Sequence, residues 1–289
     1  MALNSLESFA KPVLRSIPEP NYSLLLLATN WGFDGSWEEF ATKVKAAGYD
    51  GVEVWFPGEE KNRNEFFAAM QKHNLQYGFL VAGSDKDPSK HAEQFKLSLR
   101  AAVKVKPLYI NCHSGKDFFT YEDNKKIIDF SYEVANESSV PVYHETHRGR
   151  MLYSTPITCN FIESTPALRL TLDISHWCNV HESLLADQQE AVALALSRTD
   201  HIHARIGHAE GPQVNDPRAP EWDDAVKAHF GWWDMVVAQK RKEGQRLTIL
   251  TEFGPANYML TLPYTRQPVA DQWAINVHMM EVCRKRYGN

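Results

Sequence analysis

Short apolar runs recur along the chain, each followed by a longer stretch whose apolar residues fall at helical spacing. The runs cover 23–31, 51–56, 76–83, 107–115, 141–148, 168–177, 201–208 and 246–255. Between the first two lies "SWEEFATKVKAAG", with Ser36 placed to cap a helix and Gly48 placed to end it. Similar patterns follow every run, down to "VADQWAINVHMMEVCRKR" at the end of the chain. Eight strand-helix units of roughly 36 residues predict an α/β protein, a single-domain (β/α)8 TIM barrel over 21–289. An open doubly wound sheet is the competing arrangement of the same alternation. Residues 1–20 are expected to be a lead-in, since Pro12, Pro18 and Pro20 disfavour a long opening helix. The connection "AEGPQVNDPRAPEW" is the longest and the richest in proline and glycine, and reads as a candidate lid.

Inside the runs a second period appears. Residues 201–208, "HIHARIGH", place His201, His203 and Arg205 on one parity and Ile202 and Ala204 on the other. Alternate residues of a barrel strand face the helices and the barrel interior, so the aliphatic set points out and the polar set points in. The same parity turns Glu53 and Trp55 inward in the second strand, and Tyr109, Asn111 and His113 in the fourth. It does so for Tyr143, Glu145 and His147 in the fifth, Thr171, Asp173 and Ser175 in the sixth, and Thr248, Leu250 and Glu252 in the eighth. Glu53, His113, Glu145, Asp173, His203 and Glu252 fall late in their strands, toward the C-terminal mouth where barrel active sites are built.

Carboxylates converging at one mouth raise each other's pKa unless a cation compensates them. Glu145, Asp173, His203 and Glu252, one from each of strands five to eight, make an oxygen-rich donor set. Such a set suits one divalent ion, Mn²⁺, Mg²⁺ or Co²⁺ by preference, with Zn²⁺ acceptable. Composition narrows the partners. With 43% hydrophobic and 23% charged residues and a formal net charge of -5, the chain reads as a folded enzyme or binding protein and carries no basic run for nucleic acid. No apolar run reaches the roughly 20 residues that cross a membrane. Cys112, Cys159, Cys178 and Cys283 lack metal-finger or disulfide-framework spacing. A cytoplasmic protein is expected.

These motifs resemble the sugar isomerase and epimerase superfamily of xylose isomerase-like barrels, which includes ketose 3-epimerases and endonuclease IV type enzymes. The resemblance covers nearly the whole chain and rests on "YHETHR", "LDISHW", "HIHARIGH" and "TEFGP", with weaker support from "AAGYDGVEVW" and "NCHSG". It implies that Glu145, Asp173, His203 and Glu252 hold the metal and that His176, the histidine of D-x-x-H, binds substrate beside it. Arg205 is also implied in substrate binding, although family members carry that arginine further from the histidine. A metal bound to a ketone oxygen and a neighbouring hydroxyl acidifies the adjacent C–H and stabilises the resulting enediolate, with Glu145 and Glu252 as the catalytic base and acid.

The remaining candidates have two readings each. His113 binds substrate, holds a second metal or hydrogen-bonds within the barrel; Glu53 contacts substrate or orients a metal ligand. Trp31, Trp55 and Trp177 form an apolar wall for a sugar ring or close the barrel top. No glycine-rich phosphate loop follows strands seven or eight, which favours a free sugar or sugar acid, with Arg148, Arg205 and Arg218 available for an anion. Homo-oligomerisation is compatible with the resemblance.

Rival functions share the scaffold. A sugar lyase or dehydratase of the inosose type uses the same proton abstraction. An endonuclease IV type phosphodiesterase needs three zinc ions, but strand three ends "FLVAGSD" without a histidine and no D-x-H pair follows strand seven. A hydride-shift isomerase needs an inward lysine that the strand ends lack, and a catalytically silent sugar-binding protein has no use for an acid-base pair.

Overall fold

Strand β1 (Ser23–Thr29) pairs in parallel with both β2 (Gly51–Trp55) and β8 (Arg246–Thr251), and that double pairing closes the sheet. Between them run β3 (Gln76–Val81), β4 (Ile110–Cys112), β5 (Val142–Glu145), β6 (Leu170–Leu172) and β7 (Thr199–His203), each parallel to its neighbours in sequence order. The result is a closed eight-stranded (β/α)8 barrel, seen in a computed structural model that describes residues 21–288. The expected lead-in over 1–20 lies outside the described residues.

Helices α1 (Trp37–Ala46), α2 (Glu60–His73), α3 (Pro88–Val103), α4 (Tyr121–Ser138) and α5 (Thr155–Ser164) follow the first five strands. The short α6 (Ser175–Val180) and α7 (Gln189–Leu196) both follow β6, α8 (Asp223–Glu243) follows β7, and α9 (Gln272–Tyr287) follows β8. Helix α1 begins as its sequence dictates. Ser36 Oγ accepts from the Glu39 backbone N–H at 3.3 Å, and the Glu39 carboxylate accepts from the Ser36 N–H at 2.8 Å. Beyond its end Gly48 adopts φ +90, a conformation that suits glycine.

Two apolar layers hold the barrel. Val52, Val54, Ile110, Leu170, Leu172, Ile202, Leu247 and Ile249 pack outward against the helices. Inside, Leu27, Tyr109, Tyr143 and Leu250 form a separate plug, with the two tyrosine rings stacked at 5.5 Å. This plug fills the lower barrel, so the polar interior residues above it are lifted to the mouth.

Several strands are shorter than their apolar patterns. Run 107–115 pairs only over Ile110–Cys112, and run 168–177 stops at Leu172, with α6 starting at Ser175. In run 201–208 the strand begins earlier, at Thr199, and ends at His203. Past the strand ends only single backbone bonds to the neighbours remain, such as His113 N–H to the Val81 carbonyl at 2.9 Å, so alternation continues in the sequence after the strand has ended. The longest connection is also not the expected one: segment 252–271 between β8 and α9 exceeds the proline-rich loop before α8.

A bulge sets the register at the mouth. Leu170 pairs with Thr199 but Thr171 pairs with His201, so Asp200 is left out of the ladder. Asp200 turns outward into a two-point ion pair with Arg169 at 2.6 and 2.7 Å and also meets Lys240. That displacement brings the polar parity of β7 level with that of β6 and β8.

Candidate metal centre and reaction pocket

Glu145 closes β5, His203 closes β7, and Asp173 and Glu252 lie one residue past β6 and β8. Each offers a donor atom, and the four atoms all lie within 4.8 Å of one another. His203 Nδ1 stands 2.9 Å from Glu252 Oε2 and 3.5 Å from Glu145 Oε1. All four side chains are buried or nearly so. Close as they are, His203 Nδ1 and Glu252 Oε2 are buried without a well-aligned hydrogen bond. Leaving such atoms unsatisfied costs about 1–3 kcal/mol each, more when charged. One cation coordinated by both would remove that cost, so the donor set fits a divalent ion.

The electrostatics agree. Burial opposes protonation of His203, but the charges of Glu252, Glu145 and Glu53 outweigh it and hold the imidazole well above its ordinary pKa. Burial pushes Asp173 up to about 6, with Glu252 and Glu145 adding to the rise and Arg205 opposing it. A cluster that draws protons in this way is short of positive charge.

Part of that charge comes from Arg205, whose guanidinium is fully buried against Asp173 and lies 3.4 Å from Glu252. Its Nη2 also sits 2.8 Å from His176 Nε2, and the guanidinium packs over the Tyr258 ring at 4.7 Å. His176 is fully buried in α6, with its ring 3.7 Å from that of His147. His113, Glu145 and His147 form a second set of converging donors, which shares Glu145 with the first. Burial, with the neighbouring rings and arginines, keeps His113 and His147 well below the usual histidine pKa.

Beneath the four donors runs a hydrogen-bonded floor. Glu53 has no solvent exposure; it meets His203 Nε2 and His201 Nε2 at 2.9 Å each and accepts from Tyr109 Oη at 2.6 Å. Asn111 Nδ2 donates to Glu145 at 3.0 Å. Burial works against ionising Glu53, but the charges of His203 and His201 prevail and hold its carboxyl below the usual range.

Above the donors opens a pocket of about 510 Å³. Its walls include Trp31, Trp55, His113, Glu145, His147, Arg150, Arg205, Glu252 and Tyr258. Glu53, His176 and Trp177 do not reach it; the expected substrate contact of His176 is therefore not seen, since its ring is buried behind Arg205. Trp177 is fully buried in the outer core and donates to the Leu152 carbonyl at 3.1 Å, because the strand has already given way to α6. Arg218 is likewise engaged elsewhere, bound through two atoms to Asp216 at 2.8 and 2.7 Å.

Two contributors escaped the sequence reading. Tyr258, from the long segment after β8, is flanked by Arg148 at 5.2 Å and Arg205 at 4.7 Å and meets Trp31 edge-on at 4.9 Å. Arg150 places Nη2 3.3 Å from His113 Nδ1. Both come from irregular segments, where no periodicity announces direction.

A family model described as xylose isomerase-like TIM barrel matches residues 41–219, more than half of the chain. The chain belongs to the xylose isomerase-like TIM barrel family. Among solved structures it is similar to 3-keto-D-glucoside 4-epimerase YcjR from E. coli, at 15% identity and TM-score 0.60, over 91% of this chain and 99% of that one. It is also similar to the probable 3-DHS dehydratase AsbF from Bacillus anthracis, at 15% identity and TM-score 0.55, over 90% and 98%. A third is a xylose isomerase-like TIM barrel protein from Mycobacterium smegmatis in complex with magnesium, at 11% identity and TM-score 0.60, over 89% and 96%. At these identities the likeness speaks for the fold. No curated protein matches the chain. Among the described residues, no helix is long and apolar enough to cross a membrane.

Proposed function

We propose that this xylose isomerase-like barrel is a divalent-metal-dependent sugar isomerase or epimerase that removes a proton next to a substrate carbonyl. One observation carries the reading: of the four converging donors, Glu145 and Glu252 line the open pocket, whereas Asp173 and His203 do not. A donor set built only to hold an ion has no need to show two carboxylates to a substrate.

Bound to Glu145, Asp173, His203 and Glu252, a divalent cation would supply Lewis acidity to a substrate carbonyl oxygen. The chain's own residues do the rest. Glu145 and Glu252 take a proton from the carbon beside the carbonyl and return one to it. Asp173 and His203 hold position. Arg205 meets substrate oxygens at the edge of the cluster, His176 stands behind it and orients its guanidinium, and Trp31 and Tyr258 exclude water from one wall.

Among relatives on this fold, the E. coli structure is that of an epimerase and the Bacillus anthracis structure that of a probable dehydratase. The same proton abstraction serves either outcome, and a substrate with a leaving group beside the carbanion would eliminate it.

The test is hydrogen exchange in D₂O across ketoses, inososes and keto-glycosides, with metal added. Wild type should incorporate deuterium beside the carbonyl, and Glu145→Gln and Glu252→Gln should each abolish both exchange and turnover. Full exchange in both variants would refute the assignment.

A further inference from the structure

Beside the reaction pocket lies a second basin of about 690 Å³, and the two share Trp55, Leu80 and Arg150 as common walls. Their linings differ sharply in charge. The reaction pocket sets Glu145 and Glu252 beside Arg150 and Arg205, whereas the second basin is lined by Arg63, Lys116 and Arg150 and by no carboxylate.

None of these three cations forms an ion pair with a carboxylate among the described residues. Arg63 directs Nη1 at the backbone carbonyls of Pro57, at 3.2 Å, and Gly58. Arg150 reaches the Gly149 carbonyl at 3.3 Å and the His113 ring, and its Nε is buried without a partner. Burial, with the charge of Arg150, pulls the Lys116 ammonium below the ordinary lysine range. Lys116 and Arg150 lie close enough to repel each other, and Asp117 and Glu145 offset that repulsion only through longer-range attraction, without an ion pair. A bound anion would offset the remainder.

From this juxtaposition we propose that the substrate is a keto sugar bearing an anionic group, a carboxylate or a phosphate, which the Arg63, Lys116 and Arg150 basin holds while the sugar carbonyl occupies the reaction pocket. The proposal rests on the sugar isomerase reading of that pocket. The linings favour this orientation, because the basin presents cations alone whereas the reaction pocket mixes Arg150 and Arg205 with Glu145 and Glu252. Trp55 stands at the join, 52% exposed and edge-on to His113 at 5.7 Å. Its ring offers an apolar face for a sugar spanning both spaces.

The experiment uses the full chain loaded with Mn²⁺ and matched sets of ketoses: neutral, oxidised to the acid, and phosphorylated. Calorimetry measures binding, and D₂O incorporation measures reaction on the same compounds. At least one anionic arm should bind tenfold or more tightly than its neutral counterpart, an advantage that shrinks as salt is raised. The tighter of the two anionic arms identifies the anion. Arg63→Gln and Lys116→Gln should each reduce the anionic-to-neutral ratio of affinities several-fold, and together bring it near one. An absent preference, or a preference that survives both substitutions, overturns the proposal. Failure of the isomerase reading registers separately, as binding without deuterium incorporation in any arm.

Discussion

His203 Nε2 lies 2.9 Å from Glu53 Oε1, at the centre of a barrel where neither residue touches solvent. Glu53 is held ionised, so the imidazole donates to it, which leaves Nδ1, facing Glu145 and Glu252, as the nitrogen that gives up its proton when a metal binds. A carboxylate behind a ligating histidine fixes its tautomer and raises its basicity. Glu53→Gln should therefore weaken Mn²⁺ affinity by about 10–100-fold, read by competition with a chelating indicator. Unaltered affinity would show that Glu53 has no part in orienting His203.

Arg205 acts as an internal counter-ion to Asp173 and Glu252. Removing it strands buried negative charge, a loss of about 3–5 kcal/mol for a broken buried pair. Arg205→Met should lower the unfolding midpoint of the metal-free protein, and saturating Mn²⁺ should raise that midpoint by more than it does in wild type. An equal metal-induced rise in both proteins would contradict this role.

Gly78 faces the interior of β3, opposite Glu53 in the ladder, and an added Cβ would lie 2.6 Å from the Tyr109 ring. Tyr109 cannot yield without releasing its bond to Glu53. Gly78→Ala should cost about 1–3 kcal/mol in urea unfolding through overpacking. A neutral substitution would mean that the plug adjusts without disturbing the floor.

His229 in α8 donates from Nδ1 to the Ala225 carbonyl at 2.8 Å and accepts at Nε2 from the Gly207 N–H at 3.2 Å. Burial lowers its pKa from 6.5 to about 4, against the weaker opposing effect of the bond to Ala225. Between these values the unfolded chain binds a proton that the native one does not, so the contribution is complete above pH 6.5 and is lost as pH falls toward 4. His229→Leu should be less stable at pH 7.5, and the gap to wild type should narrow by up to roughly 3 kcal/mol by pH 4. Parallel stability curves would exclude this linkage.

Strand parity holds where side chains are fixed by the barrel itself. Glu145 and His203 terminate strands, and Asp173 and Glu252 follow by one residue, so period two still aims them inward. Trp177 neither walls the pocket nor closes the barrel top, because α6 has replaced the strand and turned the indole into the core. Period two says nothing of Tyr258 or Arg150, whose directions come from loop paths, nor of Arg218, which is already paired within its own loop. Nor does alternation reveal depth. Glu53 and Glu145 share the inward parity, yet Glu53 lies in the floor and Glu145 in the pocket wall.

Direct titration of metal-stripped protein with Mn²⁺, followed by the paramagnetic resonance signal of the free ion, tests the shared cation site most closely. The donor geometry predicts tight binding at Glu145, Asp173, His203 and Glu252, lost in Asp173→Asn combined with His203→Gln while the fold is retained by circular dichroism. Stoichiometric binding that persists in the double variant, or no binding by wild type, would contradict it.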